Sequence, residues 1–218
     1  MKSLLHRCRN WLAGIVLLVP LAAAAAAPPT PATLTPQDQA ELQRIAGYLN
    51  NIRTMSARFQ QAGGNGASSG RMWVQRPGRM RFEYDPPNPV ILLADTFYIY
   101  HYDRQLQQVQ KVGLKSTPAW FLLRDGISFA DVIVTRMERG PNLIRVSVVE
   151  SNQPDAGSLT MVFSENPLAL RQWTVIDQQG RTTHVTLSDL QFGMALDPKL
   201  FQYSDPFAGS RRDGLSSQ

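Results

Sequence analysis

The sequence has very little of the chemistry that builds disulfide frameworks or metal centres. It contains one cysteine, Cys8, and three histidines. A single thiol cannot form a disulfide within the chain, so the fold must not depend on one. Only His101 and His184 lie beyond residue 26, and they are too far apart in sequence to suggest a cluster of zinc ligands. We therefore predict no metal site.

Sequence motifs for catalysis are missing as well. The chain has no G-x-S-x-G elbow to expose a nucleophilic serine. The glycine-rich segment 63–70 lacks the lysine and the following helix of a phosphate-binding loop. His101 and Asp103 can share one face of a strand, but a polar pair beside a turn explains them more simply. We predict that the protein is not an enzyme and binds no cofactor.

The charge balance gives little support to nucleic-acid binding. The chain has 22 Lys and Arg against 17 Asp and Glu, a formal net charge of +5. Residues 1–26 hold three of the basic residues and no acidic one, so the remainder has 19 basic and 17 acidic residues, a net charge of +2. Nucleic-acid-binding domains are strongly basic. We predict no nucleic-acid partner.

The one long apolar run lies at the amino terminus and has the pattern of an export signal. Three basic residues precede the apolar stretch 11–21, and the small residues of 22–27 supply an A-x-A cleavage site. We predict a signal peptide over residues 1–26; a retained transmembrane anchor is the alternative. Cys8 precedes the apolar stretch, so it is not the lipidated cysteine of a lipobox, and we expect no lipid anchor.

The remaining residues have a length that suits one domain with a sizeable core. Residues 27–34 are rich in Pro, Thr and Ala and are predicted to form a disordered linker. A single domain is predicted over 35–207. The polar end, 208–218, is predicted to be a disordered tail.

A helix is predicted to begin after Thr35. Thr35 can cap it, Pro36 suits the first helical position, and Asp38 lies near the positive end of the helix dipole. An apolar stripe follows at helical spacing, formed by Leu42, Ile45 and Leu49. The opposite face is polar but not rich in Lys or Arg, which argues against a helix that lies on a membrane. We expect this helix to cover another part of the fold.

From residue 55 the apolar residues recur at every second position, which is typical of strands. Only one further helix is predicted, over 117–123, with Thr117 as cap and Pro118 at its start. The fold class predicted is therefore mainly β with inserted helices. We expect a single large antiparallel sheet curved into an incomplete, unclosed β-barrel, with the two helices as a lid. In the aromatic segment 97–102, either face could be the buried one.

Two short strands around the turn Pro77-Gly78 dominate the pattern. Alternation places five apolar side chains on one face, provided that the two strands pair in register; these are Met72, Val74, Met80, Phe82 and Tyr84. Arg76 is then the single cation on that face. It must find acceptors or reach water, because an unpaired buried charge is costly. Pattern alone leaves open whether Arg76 extends into water from a strand end or is bound inside.

The segment SGRMWVQRPGRMRFEYDPP, from Ser69 to Pro87, resembles the LolA family of periplasmic lipoprotein carriers. The agreement includes the W-V-x-R-P strand end, here Trp73 to Pro77, and extends from about Leu42 to Leu123. The resemblance implies that Arg76 hydrogen-bonds to the helices that cap a lipid cavity. It also implies a cavity that binds acyl chains; the expected lining is Met72, Val74, Met80, Phe82, Tyr84, Leu42, Ile45, Leu49, Pro118, Leu122 and Leu123.

The resemblance also implies a pathway. Acylated lipoproteins would be received from an inner-membrane ABC transporter and passed through the periplasm to an outer-membrane acceptor. We expect a monomer. Two alternatives share the fold: the outer-membrane acceptor itself, against which the missing lipobox argues, and a periplasmic lipid-sensing module that regulates another protein.

Overall fold

The computed structural model describes residues 28–64 and 66–203. The predicted signal peptide, 1–26, and the predicted tail, 208–218, lie outside these residues. Within the described part of the chain, no helix is both long enough and apolar enough to cross a membrane.

The amino-terminal helix, α1, spans Pro36–Asn51. Thr35 caps it as predicted. The Thr35 hydroxyl accepts from the Asp38 N–H at 3.2 Å, and the Asp38 carboxylate accepts from the Thr35 N–H at 2.8 Å. This reciprocal pair satisfies two backbone donors that a helix start would otherwise leave unpaired. Leu42, Ile45 and Leu49 are the buried residues of α1, so the predicted stripe faces the core.

Eleven strands form one antiparallel sheet with the order β6-β5-β4-β3-β2-β1-β11-β10-β9-β8-β7. They are β1 Thr54–Gly63, β2 Gly66–Gln75, β3 Arg79–Tyr84, β4 Val90–Asp95, β5 Tyr98–Asp103, β6 Gln108–Gly113, β7 Val132–Gly140, β8 Leu143–Glu150, β9 Gly157–Glu165, β10 Leu168–Asp177 and β11 Thr182–Phe192. Short connections produce this order because consecutive antiparallel strands pair with each other. Two meanders, β1 to β6 and β7 to β11, are joined where β1 pairs with β11.

The sheet is curved but not closed, which confirms the predicted fold class. β6 and β7 follow one another in sequence yet lie at opposite edges of the sheet. The connection between them, residues 114–131, must therefore cross the open side of the barrel. It carries the second helix, α2, which spans Trp120–Leu123. The apolar side chains of α1, α2 and the concave face of the sheet form one core.

The start of α2 differs from the prediction. Thr117 does not cap it; the hydroxyl of Thr117 donates to the Leu114 carbonyl instead, at 2.8 Å. The first turn is made by short-range bonds such as Trp120 N–H to the Thr117 carbonyl at 3.1 Å, and Ala119 stands at the cap position without a side-chain bond. The Thr-Pro signal identified the helix correctly but placed its cap and its first residue two positions too early.

The outer, convex face of the sheet has an aromatic patch of its own. Tyr100 and Tyr102 are buried there with Leu93, and Tyr203 stacks on Tyr100 with ring centroids 4.1 Å apart. Ile99, which precedes Tyr100 and points to the other face, belongs to the concave core. Both faces of the aromatic strand are therefore buried, because the carboxy-terminal segment covers the outer one.

The segment before α1 is not the free linker that its composition predicts. Ala32 donates its N–H to the Val134 carbonyl at 2.8 Å, and Leu34 packs against the core. This pairing satisfies a backbone group on the outer edge of β7, and edge strands are commonly covered in this way.

Gly70 lies where no side chain fits, and this gives a stability prediction. A Cβ there would come within 2.1 Å of the Glu83 carbonyl oxygen and 2.8 Å of the Phe59 ring. Gly70→Ala should lower the free energy of unfolding by about 1–3 kcal/mol, as overpacking does. Gly126→Ala is the control, because a Cβ at Gly126 meets nothing within 4 Å. Urea denaturation would measure both, and equal stability of the two variants would contradict the packing described.

Candidate functional site: a covered apolar cavity

A cavity of about 680 Å³ lies between the concave face of the sheet and the two helices. This volume is within the range of ligand-binding sites in proteins. Most of the residues expected from the sequence line it. They are Met72, Val74, Met80 and Phe82 from the β2–β3 hairpin, Leu49 from α1, and Pro118, Leu122 and Leu123 from the α2 segment.

The hairpin residues meet there because of the strand register. Met72 lies opposite Phe82, and Val74 lies opposite Met80, and directly opposed residues of an antiparallel pair share a face. The predicted pairing of the two apolar rows is therefore confirmed.

Three expected lining residues lie elsewhere. Leu42 and Ile45 are buried in the core against the sheet but are not part of the cavity wall. Only the last turn of α1 reaches the cavity. Leu42 and Ile45, which come from earlier turns, pack in the core instead. Tyr84 packs its ring on Phe59 with centroids 5.1 Å apart and is likewise outside the wall.

The sequence interpretation missed the wall that comes from the second half of the chain. This wall consists of Leu159, Leu170, Trp173, Val175 and Val185. Alternation marks these residues as strand positions. Polar neighbours along the strand, such as Ser158 and Thr160 beside Leu159, also group them on one face. Alternation does not tell that this face completes the same cavity as the β2–β3 hairpin.

Arg76 lies at the end of β2, and only 7% of its surface is exposed. Its guanidinium binds the carboxyl end of α1. It donates to the Leu49 carbonyl, to the Ile52 carbonyl at 3.4 Å and to the Asn50 Oδ1 at 3.3 Å. A cation is favourable at this position because the last carbonyls of a helix carry partial negative charge.

The same guanidinium also binds the segment that follows α2. Arg76 donates to the Arg124 carbonyl at 3.0 Å and to the Asp125 carbonyl at 2.6 Å. The backbone adds a parallel contact, from the Gly78 N–H to the Leu123 carbonyl at 2.7 Å. The interpretation in which Arg76 reaches water from a strand end is therefore wrong, and its side chain joins the sheet to both helical segments.

The partners of Arg76 are neutral. All five acceptors within the described residues are carbonyl oxygens, and the nearby Asp125 carboxylate binds Arg53 instead, at 2.6 Å. Burial, together with the charge of Arg53, lowers the pKa of Arg76 to about 10. Arg76 is therefore charged at neutral pH, and among residues 28–64 and 66–203 it forms no salt bridge with a carboxylate.

Two further residues connect the helical segments to each other. The Asn50 side chain on α1 binds both backbone groups of Ile127, at 2.9 and 2.8 Å. Arg124, which is 6% exposed, donates to Asp131 at 2.8 Å and lies 4.6 Å from the Phe121 ring. We call α1, α2 and residues 124–131 the lid. Asn50 does not stand out in the sequence because its partner groups on Ile127 are backbone atoms. Arg124 binds the Asp131 carboxylate as well as the Ser128 carbonyl, and a charged pair in a segment without periodicity does not stand out either.

Known proteins resemble this chain over most of its length. Outer-membrane lipoprotein carrier proteins are 32% identical in Legionella pneumophila strain Paris, over 77% of this chain and 87% of the relative, and 29% identical in Pseudomonas aeruginosa PAO1, over 78% and 86%. A LolA superfamily protein of Nitrosomonas europaea, with a solved structure, is 9% identical with a TM-score of 0.42, over 74% of this chain and 97% of that one. The family described as "Outer membrane lipoprotein carrier protein LolA" matches residues 50–204. The chain belongs to the LolA family.

Proposed function

We propose that this protein is a periplasmic carrier that binds the acyl chains of lipoproteins in the covered cavity. The observation that carries the proposal is the combination of an apolar cavity with a lid that a single buried cation ties down through neutral acceptors. Membership of the LolA family and the names of the relatives support the same role.

The lid answers an energetic problem that any acyl carrier faces. Each buried methylene contributes about 0.8 kcal/mol to binding, so a long acyl chain in an always open cavity would not be released. The lid residues Leu49, Leu122 and Leu123 line the cavity opposite the sheet. Acyl chains must displace them, and re-closure of the lid offsets part of the affinity.

Arg76 serves as the latch of this lid. Its bonds form only when the end of α1 and the segment after α2 both lie against the β2–β3 turn. When the lid opens, water can replace the carbonyls around the Arg76 guanidinium and can also bind the freed carbonyls, so neither the charge nor its former acceptors are left without hydrogen bonds. The latch therefore stabilises the closed, empty state without preventing opening.

The proposal extends to the pathway implied by the resemblance. The protein would be exported with cleavage of its signal peptide near residue 26. It would act as a monomer that receives acylated lipoproteins from an inner-membrane ABC transporter and delivers them to an outer-membrane acceptor. Cavity-lining residues bind the acyl chains, and the protein carries out no reaction on them.

Native mass spectrometry of the protein purified from the periplasm tests this function. We expect complexes with acylated lipoprotein whose lipid is chemically unaltered. A bound lipid that had been cleaved or modified would favour an enzyme instead. A protein that carried no acylated molecule, even after incubation with detergent-solubilised lipoprotein, would contradict the carrier role.

A further inference from the structure

The lining of the cavity changes character along its length. Near the β2–β3 turn it is apolar apart from Arg76. Farther along the strands polar residues also line the cavity; these are His101 and Gln110 on β5 and β6, and Gln61, Asp177 and Thr183 at the ends of β1, β10 and β11 that lie far from Arg76. The inference below rests on the proposed carrier function, because it concerns the same cavity.

The strand register places Gln61, Thr183 and Asp177 on one rim, at neighbouring ends of β1, β11 and β10. Gln110 on β6 and its partner His101 on β5 lie instead in the cross-strand row of Phe82 and Met72. Gln61 on β1 lies opposite Val185 on β11, and Thr183 follows two residues earlier on the same face of β11. Asp177 ends β10 beside them. The rim thus combines residues from both meanders, at the end of the sheet far from Arg76.

The rim offers mainly unused donors. The Gln61 carbonyl oxygen accepts from the Tyr84 hydroxyl at 2.8 Å, which leaves the Gln61 amide nitrogen, with its two N–H donors, unbound among the described residues. The Thr183 hydroxyl likewise has no partner among the described residues. Asp177 adds no free acceptor, because it already accepts from Arg181 at 2.7 Å and from the Gln179 N–H at 2.9 Å.

Such a rim matches one part of an acylated molecule. Ester groups accept hydrogen bonds and cannot donate them, and an N-acyl amide carbonyl has the same need for a donor. In an acylated molecule these carbonyl groups lie where the apolar chains join the polar head group. We propose that the rim around Gln61 and Thr183 binds the ester and amide carbonyls of acylated cargo, with the acyl chains directed toward the lid.

This arrangement has a consequence for the cargo protein. If the carbonyls lie at the polar rim, the polypeptide of the lipoprotein leaves the cavity at that end. It would then extend away from the lid and from Arg76, so the lid could close or open without meeting it. A carrier for many lipoproteins benefits from this geometry, because the contacts are to groups that all of them share.

A pair of matched double variants tests the proposal. Gln61→Leu with Thr183→Val removes the donors from the inward face. Gln60→Leu with Thr182→Val makes the same chemical changes on the neighbouring positions, which face outward by strand alternation. The probes are a synthetic diacylated lipopeptide, a diacyl phosphatidylglycerol in detergent, and the apolar fluorophore N-phenyl-1-naphthylamine, which has no carbonyl.

The inward variant should bind the lipopeptide about tenfold more weakly than wild type, as expected for the loss of one or two neutral hydrogen bonds, and bind the fluorophore equally well. If the inward variant also binds phosphatidylglycerol more weakly, the rim contacts the ester carbonyls. If only the affinity for the lipopeptide falls, the rim contacts the amide carbonyl. Thr183→Val alone breaks no hydrogen bond among the described residues, so it keeps the test valid even if Gln61→Leu impairs folding. It should weaken binding of the lipopeptide about threefold.

Equal lipopeptide affinity of the inward variant, the outward variant and the wild type would overturn the rim as a binding site. That result is distinct from failure of the carrier function, in which the wild type would bind neither the lipopeptide nor the fluorophore.

Discussion

Arg76→Leu should accept lipoprotein at least as readily as the wild type and release it poorly. The substitution removes the bonds from the guanidinium to both parts of the lid, and these exist only in the closed state. A hydrogen bond from a charged donor contributes about 1.5–3 kcal/mol net. Losing one such bond shifts the balance from closed to open about ten- to a hundredfold.

The release defect follows because cargo no longer competes with a latched lid. Transfer of bound lipoprotein to the acceptor should therefore be slower by about the same ten- to hundredfold factor. Arg79→Leu is the matched control, since Arg79 lies just across the turn but is exposed and donates only to Gln75, at 3.3 Å. Circular dichroism must first show an intact sheet in both variants. Release from folded Arg76→Leu at the wild-type rate would rule out the latch.

Met80→Glu should abolish most of the loading. Met80 lines the cavity with 7% of its surface exposed, and a carboxylate there must be desolvated or neutralised when acyl chains enter. Every 1.4 kcal/mol of this cost weakens binding about tenfold, so we expect a loss of at least that size. Binding of a diacylated lipopeptide is the measurement.

Gln75→Glu provides the matched control for Met80→Glu. Gln75 lies across the β2–β3 pair from Arg79 and accepts from it, so a carboxylate there keeps a cationic partner on the outer face. This variant should bind the lipopeptide as the wild type does. If Met80→Glu and Gln75→Glu bound the lipopeptide equally well, binding would not depend on an apolar side chain at the inward-facing position 80.

The parts of the fold that were predictable from the sequence are those set by local interactions. The start of α1 follows from Thr35 and Asp38, whose side chains satisfy backbone groups three residues away. The strands follow from alternation, and the register of the β2–β3 hairpin follows from its short turn. These interactions join residues that lie close together in sequence, so both partners can be recognised within one short stretch.

The parts that were not predictable depend on distant partners. The presence of Arg76 on an apolar face was visible, but its acceptors are backbone carbonyls 27 and 48 residues along the chain, and a backbone carbonyl has no sequence signature. The same holds for Asn50, whose partners are backbone groups of Ile127, 77 residues away. The covering of Tyr100 by Tyr203 could not be read from the strand pattern either, because it depends on where the carboxy-terminal segment packs.

Hydrogen exchange at the Gly78 amide tests the central claim most directly. Its N–H is bonded to the Leu123 carbonyl of the lid, so it reports whether the lid rests on the β2–β3 turn. The amide of Met72, within β2 between β1 and β3, serves as the internal reference for the sheet. We expect Gly78 to exchange about tenfold faster or more when the lipopeptide is bound, and also in empty Arg76→Leu, with Met72 unchanged. Gly78 exchange that stayed the same or slowed on lipopeptide binding would contradict a lid that acyl chains displace.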